Sequence, residues 1–159
     1  MYYKDEIKDK DQIVTGWGAS LSGIWQFSES TSFCFQGVCG KGISNYIQDI
    51  SGIGLDLVPS ATAEGKLKAS CAWGAYGGFS HKWNEELSSN IMYSYARVEE
   101  RFGMPTTSYK YAQYAAANLF WDFSEYGSCG IEYVFGRRND FNKDYGNASR
   151  INTMIQYRF

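Results

Sequence analysis

This sequence predicts an all-β fold: an antiparallel, up-and-down sheet of about seven strands, of the kind that forms part of a bilayer-spanning β-barrel. Three observations lead there. Apolar and polar residues alternate with period two in run after run, the signature of strands with two unlike faces. The composition suits strands and turns: 28 aromatics (five Trp, thirteen Tyr, ten Phe), 17 Gly and only two Pro among 159 residues. The alternating runs also reach about ten residues or more, whereas strands of soluble domains average nearer 5 or 6.

The first strand, Gly16 to Phe27, puts Trp17, Ala19, Leu21, Gly23, Trp25 and Phe27 on one face and Gly18, Ser20, Ser22, Ile24 and Gln26 on the other. Ser28–Thr31 turns the chain, and Ser32 to Gly42 sets Phe33, Phe35, Gly37 and Cys39 against Cys34, Gln36, Val38 and Gly40. A long connection from Ile43 to about Lys68 holds Asp49, Asp56, Pro59 and Glu64, with a short helical turn expected within Ile43–Ile50. The third strand, near Cys71 to Trp83, shows Trp73, Ala75, Gly77, Phe79 and His81 on one face, and Asn84–Glu86 turns it back. Leu87 to Ala96 alternates Ile91, Tyr93 and Tyr95 with Asn90, Met92 and Ser94, and Glu99–Ser108 is a charged loop with Pro105. Tyr109 to Asp122 is the fifth strand, and Phe123–Tyr126 a tight connection. Cys129 to Gly136 is the sixth, Asn139–Ala148 a polar loop, and Ile151 to Phe159 the seventh.

Connections therefore alternate between short and longer, as in barrels with short periplasmic turns and longer extracellular loops. The second faces are rich in Gly, Ser, Asn and Gln, which suits a water-filled lumen; a small soluble barrel would fill its interior with bulky apolar groups. The other candidate, a soluble lipocalin-like barrel binding small apolar ligands, meets Gln26, Asn118, Asn152 and Gln156 on the face that would line its cavity. No run approaches the roughly 20 apolar residues of a spanning helix, in keeping with the mean hydropathy of −0.39. A net charge of −2 argues against nucleic acid as a partner. Met1–Lys10 mixes charges without an apolar stretch, so no signal peptide is expected in these residues. Counting strands back from the end places residues 1–15 outside the cell as a loop remnant. Seven strands are odd and fewer than the roughly 16 of a water-filled porin. Residues 1–159 are therefore expected to be the single C-terminal segment of a larger barrel, in the bacterial outer membrane.

Phe159 ends the chain, preceded at alternate positions by Tyr157, Ile155, Thr153 and Ile151. A terminal aromatic on such a strand resembles the signal read by the outer-membrane barrel assembly machinery, which makes Phe159, Tyr157 and Ile155 candidate assembly residues. Longer segments resemble the DcaP-like outer-membrane porins: Trp17–Gly23 (WGASLSG), Phe35–Ile43 (FQGVCGKGI), Gly77–Phe79, Gln113–Ala115, Gly130–Arg138 (GIEYVFGRR), Ala148–Ile151 and Gln156–Phe159. The resemblance covers nearly all the chain after Gly16 and the C-terminal part of that family. It implies a homotrimeric outer-membrane channel for passive diffusion of small, often anionic solutes.

Candidate pore residues come from pairing the last two strands. Setting Glu132 opposite Gln156 puts Val134 opposite Met154, Gly136 opposite Asn152, and Arg138 opposite Arg150, all toward the lumen. Arginine matches carboxylates with a planar fork, so Arg138 and Arg150, with Arg137 near the rim, form a candidate anion-attracting patch. The competing reading is a solvated loop base neutralised by Asp140 or Asp144. Glu132 and Arg158 are expected as a diagonal structural pair, and Arg97, Glu99, Glu100 and Arg101 as a solvated rim. The 43–68 connection either folds inward to narrow the pore or stays on the surface. No enzyme, metal site or cofactor is expected: Cys34, Cys39, Cys71 and Cys129 lack ligand spacing and His81 is the only histidine. Cys34 and Cys39 fall on opposite faces, which argues against a disulfide between them.

Overall fold

The period-two pattern builds one seven-stranded antiparallel sheet in the computed structural model, which describes residues 2–5, 10–60, 66–99 and 103–159. Its strands are β3 (Trp17–Ser28), β4 (Thr31–Lys41), β7 (Cys71–Lys82), β8 (Leu87–Val98), β9 (Tyr109–Asp122), β10 (Gly127–Asp140) and β11 (Tyr145–Tyr157). They lie side by side in chain order from β3 to β11, each antiparallel to its neighbours, and only β4 and β7 are joined by a long connection rather than a short turn or loop. Two small hairpins accompany the sheet: β1 (Tyr2–Asp5) with β2 (Lys10–Ile13), and β5 (Leu57–Pro59) with β6 (Leu67–Ala69). Of the N-terminal stretch expected as a loop remnant, residues 1 and 6–9 lie outside the described residues, as does Glu64.

The long strands have 11 to 14 residues, enough for a tilted strand to cross a hydrocarbon core, which takes about 9–11. The face that carries Leu21, Phe79, Ile91, Ile131 and Ile155 is apolar yet open: Leu21 is 71% and Ile155 83% exposed. Aromatic rings pack along it, Trp25 on Phe27, Phe33 on Phe79 and Trp73 on Tyr95, with centroids 4.6–5.4 Å apart. We call this the outer face. His81 belongs to it, edge-on to Trp83 and hydrogen-bonded through Nδ1 to the Thr31 hydroxyl at 2.8 Å.

The last hairpin differs from the expectation. β10 continues to Asp140 and β11 begins at Tyr145, so the loop expected over Asn139–Ala148 is a turn of residues 141–144. Lys143 adopts a left-handed φ of 74°, and Asp140 donates its backbone N–H to the Asp144 carbonyl at 2.9 Å. Polar residues at a barrel rim leave the membrane before the strands end, which is why Arg137–Asp140 and Tyr145–Arg150 read as loop. A tight turn fixes register, and here it moves the pairing by four residues: Glu132 stands opposite Asn152, Val134 opposite Arg150, and Arg138 opposite Gly146. The expected Arg138–Arg150 opposition is absent. Nor do Glu132 and Arg158 form a diagonal pair. The Arg158 N–H bonds the Tyr126 carbonyl at 2.8 Å, six residues from Glu132, or about 20 Å along a strand.

Candidate functional site

Opposite the apolar face, alternate residues line up across the hydrogen-bonded strands in rows. One row runs Ser20, Val38, Gly74, Ala96, Ala112, Arg138 and Gly146. The next runs Ser22, Gln36, Tyr76, Ser94, Tyr114, Gly136 and Ala148. The first row is small across β7, β8 and β9, and the connection after β4 settles onto it. Ile43, Ile47, Ile50 and Leu55 pack in one core with Ala72, Ala96, Val98 and Tyr109, with Val38 and Ala112 at its edge. Gly18 makes room for the segment's first residue, because a Cβ there would sit 2.9 Å from Ile43 Cγ2, and Gly74 lies in ordinary contact range of Ile47. Of the 43–68 connection, the part from Ile43 to Leu55 packs on the inner face, and residues 61–65 lie outside the described residues.

Two short 3₁₀ turns, Ser44–Tyr46 and Gln48–Ile50, space its apolar groups onto the wall. The segment is clasped by its own polar groups: Ser44 Oγ and Asn45 Nδ2 donate to the two Asp56 carboxylate oxygens at 2.8 and 2.6 Å. Gly52 N donates to Asn45 Oδ1 at 3.0 Å. Ser70 ties both ends down, its carbonyl accepting from Gly42 N and its N–H donating to the Asp56 carbonyl, each at 2.8 Å. Tyr46 stays 83% exposed on the segment. Below it a cavity of about 540 Å³ is lined by Gln48, Asp49, Tyr76, Ser94 and Tyr114 among others.

A bulge completes the wall. Asp140 pairs with Tyr109 and Asn139 with Tyr111, leaving Lys110 as the extra residue. Bulges re-aim side chains, and this one turns Tyr109 inward, where it is 4% exposed and donates its hydroxyl to the Ala96 carbonyl at 3.0 Å. The Arg138 guanidinium lies 5.6 Å from the Tyr109 ring centre.

The sequence-derived candidates separate on this framework. Arg138 and Arg150 are on the inner face; Arg138 is bridged to Asp140 at 2.8 Å, and Arg150 faces Val134. Glu132 is on the same face and accepts from Asn152 Nδ2 at 2.9 Å. Arg158 sits at the far end beside a cavity of about 310 Å³ that also borders Glu85, Glu86, Asp122 and Glu125. Arg137 is a correction: it alternates with Arg138 onto the outer face, stacking on Tyr145 at 4.4 Å and donating to Asn139 Oδ1 at 3.1 Å. Of the rim cluster, Arg97 and Glu99 form an ion pair at 2.9 Å and Trp73 Nε1 donates to Glu99. Glu100 and Arg101 lie outside the described residues. Ile155 and Tyr157 are exposed at the end of β11, and Phe159 is exposed just beyond it.

A family model described as DcaP outer membrane protein matches residues 5–159. The chain belongs to the DcaP outer membrane protein family. Among solved structures, the outer membrane channel DcaP of Acinetobacter baumannii is similar, with a TM-score of 0.76 and 21% identity. The match covers 99% of this chain and 44% of that one, so this chain spans less than half of that channel's length. No curated protein matches. The open sheet described, with β3 and β11 at its edges, matches part of that channel's fold.

Sequence reasoning missed the anchoring residues Ile43, Ile47, Ile50 and Leu55. The available signal was four large apolar residues in a connection between strands, matched by Gly and Ala on alternate wall positions. The faces make a direct prediction for the free thiols. A water-soluble, membrane-impermeant maleimide should label Cys34, on the inner face, in the membrane-embedded protein. Cys129, on the outer face between Trp121 and Ile155, should stay protected until detergent is added. Mass spectrometry of the peptides reads the result, and equal labelling of both would contradict the assignment of faces.

Proposed function

We propose that this chain forms part of the wall of an outer-membrane channel for passive diffusion of small solutes, with the Ile43–Leu55 segment narrowing the lumen. The observation that supports the reading is that segment's apolar seat on the inner face, with Tyr46, Gln48 and Asp49 bordering the cavity there. A buried apolar seat holds a loop in a water-filled passage without any covalent tie. The chain is the C-terminal portion of a larger barrel in this reading, and further strands close the wall between β11 and β3. Assembly as a homotrimer, and delivery by the barrel assembly machinery through Phe159, Tyr157 and Ile155, are parts of the same proposal.

Anion preference would come from Arg150 and Arg138 on the lumenal face. Arg150 carries more of it, because Asp140 offsets Arg138 at 2.8 Å. In planar-bilayer recordings of the assembled channel, Arg150→Gln is expected to lower the anion-to-cation permeability ratio about two- to threefold, the size of a single exposed charge at physiological salt. Arg138→Gln should change it less. Arg137→Gln, on the outer face, should leave it unchanged. A ratio insensitive to Arg150→Gln would remove the arginine from the selectivity account.

A further inference from the structure

We propose that the outer face carries, around Arg137, a docking site for the phosphorylated glycolipids that form the outer leaflet of a bacterial outer membrane. The inference rests on the channel reading above, with the long connections outside the cell, and concerns the face that the solute does not touch. Alternation sets Arg137 on that face, with Phe135 and then Tyr133 following it toward the membrane. Its cross-strand neighbours are Gln113 on β9 and Asn147 on β11. The guanidinium lies 4.4 Å from the Tyr145 ring centre, and its Nε donates to Asn139 Oδ1 at 3.1 Å. These two contacts fix its plane. Both Nη groups, half of the fork that grips phosphate with paired donors, have no hydrogen bond or ion pair among the described residues.

The level of Arg137 is that of an aromatic belt. Trp73 stacks on Tyr95 and Tyr95 on Tyr111, with centroids 5.0 and 5.5 Å apart. Tyr95 shares the row of Arg137, and Trp73, Tyr111 and Tyr145 share the row above it. Belts of this kind sit where acyl chains meet headgroups. Two rows below Arg137, about 13 Å along the strand, the row is Ile91, Ala117, Tyr133 and Ile151. A cation thus stands at headgroup depth, directly above a surface made for hydrocarbon.

Charge separates the two ends of the sheet in the same sense. Lys41, Arg97 and Arg137 take outer-face positions at the end of the long connections. Of the described carboxylates at that end, Glu99 pairs with Arg97, Asp140 with Arg138, and Asp144 accepts from Asn142 in the turn. Asp49 and Asp56 belong to the inward segment, on the other face. The end with the short turns instead carries Glu29, Glu85, Glu86, Asp122 and Glu125, with Lys82 and Arg158. A leaflet rich in phosphate is therefore complementary to the first end and not to the second. A lipid phosphate on Arg137 leaves its acyl chains on Phe135, Tyr133 and Ile151, whereas a free anion gains only the cation.

The test uses the protein in its native outer-membrane assembly, extracted in mild detergent, stripped of lipid and incubated with bisphosphorylated lipid A or its dephosphorylated form. Native mass spectrometry counts the lipid retained. The wild type is expected to retain the phosphorylated form in preference to the other. Arg137→Gln should lower that retention about three- to tenfold, the effect of losing one partly solvated, charge-assisted contact, and Arg137→Lys should restore part of it. Lys82→Gln, the same change of charge at the opposite end, should leave retention at the wild-type level. Retention unchanged by Arg137→Gln, or equal retention of the two lipid forms, would overturn the inference while leaving the channel intact. Full displacement of the lipid by inorganic phosphate would overturn the lipid assignment in favour of a free-anion site. Dissociation of the assembly by Arg137→Gln, with lipid retained as before, would assign the face to a contact between copies. Absence of the protein from the outer-membrane fraction would overturn the channel reading beneath it.

Discussion

Ile50→Ala is expected to release the inward segment and raise the single-channel conductance of the assembled protein, with open-channel noise as the segment exchanges between seated and free states. Ile50 is fully buried, at the centre of the contact between the segment and Ala72, Ala96, Val98 and Tyr109. Truncating such a side chain costs about 2–5 kcal/mol. A seat of one short segment has few other sources of stability: the neighbouring apolar groups Ile43, Ile47 and Leu55, and the clasp around Asp56. A loss of that size multiplies the unseated population about 30-fold or more, since about 1.4 kcal/mol is a factor of ten. Ile53 provides the internal comparison. It lies on the same segment but is 51% exposed, so Ile53→Ala should leave conductance and noise at wild-type levels. Equal conductance for wild type and Ile50→Ala would show that the segment does not limit the passage.

The second large effect is expected at Gly40, where β3 and β4 leave no room for a Cβ. Gly40 pairs with Gly18. A Cβ on Gly40 would meet the Trp17 carbonyl oxygen at 2.2 Å and the Gly18 Cα at 2.6 Å. Both are backbone atoms of the paired strand, so no rotamer change relieves the clash. Gly40→Val must therefore push β3 away from β4 at the end where Ile43 begins the inward segment. Overpacking of this kind costs about 3 kcal/mol or more when the backbone itself must move. The expected outcome is a lower folded fraction in a heat-modifiability gel and an earlier urea midpoint. Gly37→Ala is the control, because nothing lies within 4 Å of a Cβ on that glycine. If Gly40→Val and Gly37→Ala unfold alike, the close approach has no energetic weight.

Much of the architecture was legible because the determinant is local. A strand with one face in lipid and the other in water writes its alternation into adjacent residues, so β3, β4, β7, β8 and β9 could be bounded within one to two residues. Turns such as Asn84–Glu86 announce themselves in the same way: Asn84 Oδ1 accepts from the backbone N–H groups of Glu86 and Leu87 at 2.9 and 2.7 Å. The last hairpin was misjudged because the polar rim residues Arg137–Asp140 look like loop whether or not they are paired. Once its turn was read too long, the register moved, and with it the partners of Glu132, Arg138 and Arg150. Arg138, Arg150 and Glu132 still share one face of the sheet, because an even shift of register preserves which face a residue takes.

The sequence by itself determined the strand order, the two faces and the DcaP-like character of the wall, since each follows from residues close together along the chain. Only the tertiary structure decided three things: the four-residue register of the final hairpin, the inward turn of Tyr109, and the seat of Ile43, Ile47, Ile50 and Leu55 on the inner face. The reason is common to all three. Each depends on how residues of different strands meet. Asn139 and Asp140 of β10 take Tyr111 and Tyr109 of β9 as partners, and the segment's apolar groups find the space left by Gly74, Ala96 and Ala112. That complementarity exists only after the strands have paired.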